Sequence, residues 1–207
     1  MTAPPTRPLT LADISDLRAY ERERDDLRRH VIALKKRRRV SVGPIVTLTF
    51  ENRTTVRFQV QEMARAERML ADEQILQELE VYNRLLPGPG ELSATLFLEL
   101  TDADALRRWL PALVGIERSV ELRIGTGADT SIVMSRPEAE HESHLTREET
   151  TAAVHYVRFA LSADQITAFE AGPVTLAVGH PGYPAGVPGT VLSDATRAEL
   201  LGDLRGS

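Results

Sequence analysis

The sequence of 207 residues contains no cysteine, and few of its residues are aromatic. The lack of cysteine excludes disulfides, thiolate-ligated metals, Cys-ligated iron–sulfur clusters and cysteine nucleophiles from the chain. Aromatic residues make up 5% of the sequence, so the core must be built mainly from Leu, Val, Ile and Ala. No apolar run approaches the ~20 residues that span a bilayer, and residues 1–8 lack the charged-then-apolar order of a signal peptide. We therefore expect a cytoplasmic protein with no membrane-embedded part.

The composition is that of an ordered globular chain. Hydrophobic residues account for 42% and charged residues for 27%, and the length suits one domain. The proline-rich residues 1–9 predict a flexible arm, so we expect a single domain over 10–207. Residues 136–150 are polar and acidic, which is typical of a mobile loop, and we expect its His141 and His144 to be solvated rather than metal-bound.

Apolar residues recur at helical spacing early in the chain and alternate in much of the second half. A long helix, or two in tandem, is predicted from about residue 11 to 38, starting at a capping box of Thr10 and Asp13. Further helices are predicted over 54–71, 73–84, 101–114, 163–171 and 194–204, and strands over 45–50, 92–100, 120–124, 131–134, 153–161 and 173–180. Because this order is mixed rather than strictly βαβ, we expect an α+β fold with a long N-terminal helix and a largely antiparallel mixed sheet.

Several segments resemble an uncharacterised bacterial family of similar length, described as a domain of unknown function. The resemblance covers most of the chain apart from the first residues and the 136–150 loop. It is carried by residues 30–40, 50–53 (Phe-Glu-Asn-Arg), 61–68, 154–159 and 180–183 (His-Pro-Gly-Tyr).

This resemblance implies a setting rather than an activity. Members of the family are often encoded beside rubrerythrin-like proteins and iron–sulfur proteins related to heterodisulfide reductase. The implied setting is oxidative stress or electron transfer. The leading interpretation is therefore a cytoplasmic accessory protein that binds a redox or iron–sulfur partner.

The predicted 54–71 helix carries two glutamates close to apolar stripes. At 100° per residue, Glu67 lies within one stripe, and Glu62 and Arg65 lie between two apolar faces. Buried charges are usually paired, so Glu62 is expected to pair with Arg65, and Glu67 with Arg53 or another arginine. The alternative role for either glutamate is that of a metal ligand or general base.

Two histidines lie on apolar strand faces. His155 is expected to be a hydrogen-bonded core residue, whereas His180 ends a strand before a turn that contains Tyr183, where clefts often open. His180 with Glu62 and Glu67 would supply the ligand types of a non-haem iron or zinc site. A small metal-dependent enzyme is therefore the main rival interpretation.

Two charged surfaces are candidates for contacts with a partner. One is the polar cluster Glu51-Asn52-Arg53, and the other is the basic run over residues 35–39, whose charges also complement a helix end. Nucleic-acid or nucleotide binding through 35–39 is a third alternative, which the absence of interleaved aromatic residues disfavours. The long helix over 11–38 offers a surface for a homodimer.

Overall fold

The computed structural model describes residues 7–138 and 150–206 and confirms the predicted α+β class. The helices within these residues are α1 (Leu17–Arg38), α2 (Arg53–Ala66), α3 (Asp72–Tyr82), α4 (Ala103–Ala112), α5 (Ala163–Ala171) and α6 (Asp194–Arg205). The strands are β1 (Arg39–Val42), β2 (Val46–Glu51), β3 (Glu91–Leu98), β4 (Val120–Ile124), β5 (Ser131–Met134), β6 (Arg136–Pro137), β7 (Val154–Ala160), β8 (Val174–Val178) and β9 (Thr190–Val191). None of these helices combines the length and the apolar character that crossing a bilayer requires.

The strands form two antiparallel sheets. One has the order β1-β2-β3-β7-β6, and the other has the order β5-β4-β8-β9. Both sheets contribute to one large apolar core, which also buries Phe169 of α5 and Leu200 of α6. The strands predicted over 120–124 and 131–134 are present as β4 and β5, which pair as an antiparallel hairpin.

The larger sheet has one apolar and one polar face, because its side chains alternate. On β2, Leu48 and Phe50 point to the apolar core, whereas Thr49 and Glu51 point to the other face. The buried polar side chains on that second face are Thr47, Thr49, Glu51, Ser93 and Thr95.

A second, smaller core lies between α2, α3 and the N-terminal segment. Leu9, which the sequence placed in the flexible arm, is buried there, and its backbone N–H and C=O both bond to the Asn83 side chain. Residues 1–6 lie outside the described residues, as do residues 139–149 of the predicted acidic loop with His141 and His144.

The predicted first helix is divided near its start. Thr10 and Asp13 form the expected capping box, but it closes a single 3₁₀ turn, Leu11–Asp13. A new N-cap follows at Asp16, whose Oδ1 accepts hydrogen bonds from the backbone N–H groups of Arg18 and Ala19. The long helix therefore begins at Leu17.

Candidate functional site

Glu51 is the buried member of the predicted polar cluster, with 2% of its surface exposed. Its carboxylate accepts hydrogen bonds from three neutral side chains: Thr95 Oγ1 at 2.7 Å, Gln59 Nε2 at 3.0 Å and Thr55 Oγ1. Because both carboxylate oxygens have donors, these bonds offset the desolvation cost of burial. Glu51 thus fastens the first turns of α2 to the larger sheet.

Asn52 and Arg53 build the start of α2. Asn52 is its N-cap and accepts a 3.0 Å hydrogen bond from the backbone N–H of Thr55. Arg53 pairs with Asp13 at 2.7 Å rather than with Glu67. The hydrogen bond from Arg53 is the main reason that the pKa of Asp13 falls to about 2.

Glu62 lies in the contact between α1 and α2. Its carboxylate accepts two hydrogen bonds from Arg24, both 2.8 Å long, and one from Tyr20 Oη at 2.7 Å. The Arg24 bonds lower the pKa of Glu62 to about 2, whereas burial raises the pKa of Tyr20. A carboxylate held in this way is ionised at neutral pH, and its three donors anchor it between α1 and α2.

The same contact contains further polar links between α2 and the start of α1. Gln61 is fully buried, and its side-chain amide exchanges two 2.9 Å hydrogen bonds with the backbone of Ser15. Arg65, which the sequence paired with Glu62, instead donates to Glu21 at 2.5 Å. We call this set the α1–α2 seam: Ser15, Tyr20, Glu21 and Arg24 with Gln61, Glu62 and Arg65.

The placement of Glu67 within a buried helical stripe was wrong. Helix α2 ends at Ala66, and Glu67 is the exposed C-cap residue. The next residue, Arg68, adopts a left-handed backbone with φ of 54°. The N–H of Met69 then bonds to Ala64 O at 2.9 Å, and that of Arg68 to Arg65 O at 3.3 Å, which together form a Schellman motif.

This motif sends the next two side chains in opposite directions. Met69 turns inward and is 8% exposed, whereas Leu70 points outward and is 84% exposed. Beside Leu70 is a cavity of about 170 Å³, and a more open depression of about 510 Å³ adjoins it. We call the two together the Leu70 groove. The larger apolar side chains that line its cavity are Leu11, Ile14, Leu17, Met69, Leu70 and Ile75, and Ser15, Asp16 and Asp72 line it as well.

This groove was not predictable from the sequence. The helix predicted over 54–71 continues through Leu70, and nothing in the local pattern marks Arg68 as a helix end, because glycine or asparagine usually occupies that position. The apolar residues at 11, 14 and 17 meet Leu70 only through the tertiary fold.

His180 and Tyr183 hold the turn after β8 in place. The backbone N–H of Gly182 donates to His180 Nδ1 at 3.0 Å, so the proton lies on Nε2, which donates to Val114 O at 2.9 Å. Tyr183 is 5% exposed and donates to Val42 O at 2.5 Å. Both His180 nitrogens therefore have partners within the chain.

The three predicted metal ligands are not grouped. Glu62 belongs to the α1–α2 seam, Glu67 is exposed after α2, and His180 lies in the turn after β8. Within residues 7–138 and 150–206, no three His, Asp or Glu side chains are placed to share one metal ion.

The basic run over 35–39 is largely engaged in ion pairs. Arg37 pairs with Glu199, and Arg39 pairs with Glu99. Arg38 is fully buried, where Nε donates to Phe50 O at 2.9 Å and Nη2 contacts Asp203. The run therefore ties the end of α1 to its neighbours, which leaves less of its charge available for phosphates.

His155 is a core residue, as its apolar strand face predicted. It is 3% exposed, and its Nε2 lies 2.8 Å from Ala152 O and 2.9 Å from Thr151 Oγ1. Its Nδ1 faces Glu117 Oε2 at 3.9 Å, and burial lowers the pKa of His155 despite that carboxylate. Within the described part of the chain, Glu117 Oε2 has no hydrogen-bond partner.

Comparison with known proteins shows similarity to proteins of unknown function. A family model described as a protein of unknown function (DUF3501) matches residues 8–204. A crystal structure of a novel protein of unknown function from Burkholderia pseudomallei is 35% identical to this chain, with a TM-score of 0.85. The match covers 96% of this chain and 100% of the other. A search of curated proteins found no match.

Proposed function

The chain belongs to the DUF3501 family, and we propose that it is an accessory protein that binds a partner protein through the Leu70 groove. The observation that carries this proposal is the outward position of Leu70, which is 84% exposed beside a cavity lined mainly by apolar residues. Burial of a leucine side chain stabilises a folded protein by about 1.5–3 kcal/mol relative to its exposure. The exposed Leu70 does not provide this stabilisation in the isolated chain.

Leu70 is not an isolated apolar side chain on a polar surface. It lies between the apolar cavity and the open depression and lines both of them, together with Leu17. An exposed leucine next to a recess offers a partner both a side chain to enclose and a hole to fill, which is how the energetic centres of protein interfaces are built. Apolar surface of this kind, bordered by charged residues, marks interaction sites.

The size of the cavity favours a protein partner over a free small molecule. Its volume is about 170 Å³. Small-molecule pockets are usually about 300–1,000 Å³ and enclose most of their ligand. The adjoining depression is larger but open to solvent and bordered by Glu21, Arg65 and Arg68. One apolar side chain of a partner would fill the cavity while its neighbours cover the depression.

The partner we propose is a rubrerythrin-like or iron–sulfur protein, because the family resemblance implies a setting of oxidative stress or electron transfer. The chain contains no cysteine, so in such a complex any Cys-ligated cluster belongs to the partner. The chain would then act by docking rather than by carrying electrons itself.

The test measures the affinity of the purified chain for a rubrerythrin-like protein and for a heterodisulfide-reductase-like iron–sulfur protein by titration calorimetry. The key variant is Leu70→Ser, and its control is Leu106→Ser, which removes another exposed leucine, at 36% exposure, from α4. We expect Leu70→Ser to weaken binding about tenfold or more and Leu106→Ser to leave it unchanged. Failure of the wild-type chain to bind either protein, or equal binding by both variants, would overturn the proposal.

A further inference from the structure

The smaller sheet has one face that the apolar core does not use. Its core-facing side chains include Val120, Leu122 and Ile124 of β4, which are all buried. We call the opposite side the outer face; it carries Glu121, Arg123, Ile132, Met134, Thr175, Ala177 and Val191. Ala177 is buried on this face, and the side chain of Glu121 is 16% exposed.

Exposed apolar side chains lie at both edges of this outer face. On edge strand β5, Ile132 is 52% exposed and Met134 is 44% exposed, and on the other edge strand Val191 is 63% exposed. Between them β4 carries an ion pair, in which Arg123 Nε donates to Glu121 Oε2 at 2.8 Å. A sheet face with apolar edges and a central ion pair differs from the fully polar surface that solvent alone would favour.

The strand register arranges these side chains in two parallel rows. Ile132 is directly opposite Arg123, which is opposite Thr175 of β8. In the adjacent row, Met134 is opposite Glu121, which is opposite Ala177 of β8. Each row therefore begins with an apolar side chain on β5 and continues with a charged side chain on β4, and the two charges have opposite signs.

From this register we propose that the outer face binds a second copy of the same chain through a two-fold axis. The axis lies midway between the smaller sheets of the two copies. It runs perpendicular to β4 and passes above Leu122. This symmetry lays one row of the first copy over the other row of the second. Glu121 then faces Arg123 of the second copy, and Ile132 faces Met134 of the second copy.

The charges in the two rows favour a second copy of the chain as the partner, and they also determine the direction of the two-fold axis. A two-fold axis parallel to β4 would place Glu121 against Glu121 and Arg123 against Arg123, which like charges oppose. The perpendicular axis closes a ring of two acids and two bases, and it covers Ile132 and Met134 on both copies. An isologous contact has to be self-complementary, and these two rows meet that condition. Stacked sheets ~10 Å apart allow such side chains to meet.

This interface is independent of the Leu70 groove and differs from the dimer through the long helix that the sequence suggested. The buried side of α1 packs against α2 and α6, with Tyr20 in the α1–α2 seam and Arg38 beside Asp203. The outer face remains unoccupied by these contacts.

The test is sedimentation velocity of the full chain over a concentration series, combined with three variants of the outer face. Ile132→Arg is expected to weaken self-association about tenfold or more, because it places a cation against Met134 of the second copy. The single reversal Arg123→Glu should weaken it as well, since it creates four acids at the centre. The double exchange of Glu121→Arg with Arg123→Glu should restore association, because the exchanged pair is again self-complementary.

The control is Leu70→Ser, which alters the proposed partner site and should leave self-association unchanged. Circular dichroism melts establish that each variant is folded before its association is interpreted. A wild-type chain that stays monomeric throughout the series would overturn the proposal. It would also be overturned by a dimer that Ile132→Arg leaves intact, or by a double exchange that associates no better than Arg123→Glu alone.

Discussion

Arg24 holds Glu62 with two parallel hydrogen bonds, from Nε to Oε1 and from Nη2 to Oε2, each 2.8 Å long. The two residues are 38 positions apart and join α1 to α2. Bidentate pairs between arginine and a carboxylate are among the stronger polar links in proteins, because both partners are charged and the geometry is fixed. This pair, with Tyr20 as a third donor, makes Glu62 a structural element of the α1–α2 seam.

We predict that Glu62→Gln lowers the free energy of unfolding by about 2 kcal/mol, because hydrogen bonds to charged groups contribute about 1.5–3 kcal/mol. The matched control is Glu67→Gln, which changes an exposed glutamate just beyond the same helix and should stay within about 0.5 kcal/mol of wild type. Urea unfolding measures both. Equal losses from the two substitutions would contradict the structural role of Glu62.

The same pair predicts how stability depends on pH. The pKa of Glu62 is about 2 in the folded chain, against an ordinary value of 4.5 in the unfolded chain. The unfolded state therefore takes up the proton first as the pH falls. The contribution of Glu62 is fully present above pH 4.5 and is lost between 4.5 and about 2. The unfolding free energies of wild type and Glu62→Gln should converge as the pH falls through this interval. A difference between the two that stays constant would contradict the lowered pKa of Glu62.

Locally encoded features of the fold were predictable from the sequence. The hairpin over 120–134 follows from alternating residues around Gly125, and the helix after Ser162 follows from its cap and from Gly172 beyond its end. The α+β class also follows, because the order of such elements limits how they can pack. Each of these signals lies within a few residues of the structure that it specifies.

The partners of the charged residues were not predictable, because they are distant along the chain. Arg65 was the local choice for Glu62, at three residues, but the structure brings Arg24 to it from another helix. The end of α2 was misplaced since Arg68 forms a left-handed turn without a glycine to mark it. That single residue moved Glu67 out of the predicted buried stripe and exposed Leu70.

We predict that Arg68→Gly raises the free energy of unfolding by about 1 kcal/mol, because a left-handed residue with a Cβ costs about 1–2 kcal/mol and glycine avoids most of this strain. The control Arg68→Ala removes the same side chain but keeps the Cβ, so it should stay within about 0.5 kcal/mol of wild type. Thermal and urea unfolding measure the two. A stabilisation by alanine equal to that by glycine would point to the side chain rather than to the φ of 54°.

Arg38 is the member of the basic run on which stability should depend most. Its guanidinium is fully buried and bonds to Phe50 O and Glu51 O at the end of β2, as well as to Asp203 of α6. We predict that Arg38→Met lowers the free energy of unfolding by about 3–5 kcal/mol, because it leaves a buried carboxylate without its cation. Urea unfolding measures the loss.

The control is Arg37→Met, since Arg37 is the preceding residue and pairs with Glu199, but 46% of its side chain is exposed. An exposed pair of this kind contributes at most about 1 kcal/mol. Burial already raises the pKa of Asp203 against the pull of Arg38, so removal of the arginine should leave Asp203 protonated at a higher pH. Adding Asp203→Leu to Arg38→Met should therefore recover part of the loss, because it removes the stranded acid. Suppose instead that the double variant loses as much unfolding free energy as Arg38→Met and Asp203→Leu lose separately, added together. Asp203 is then not the group that Arg38 neutralises.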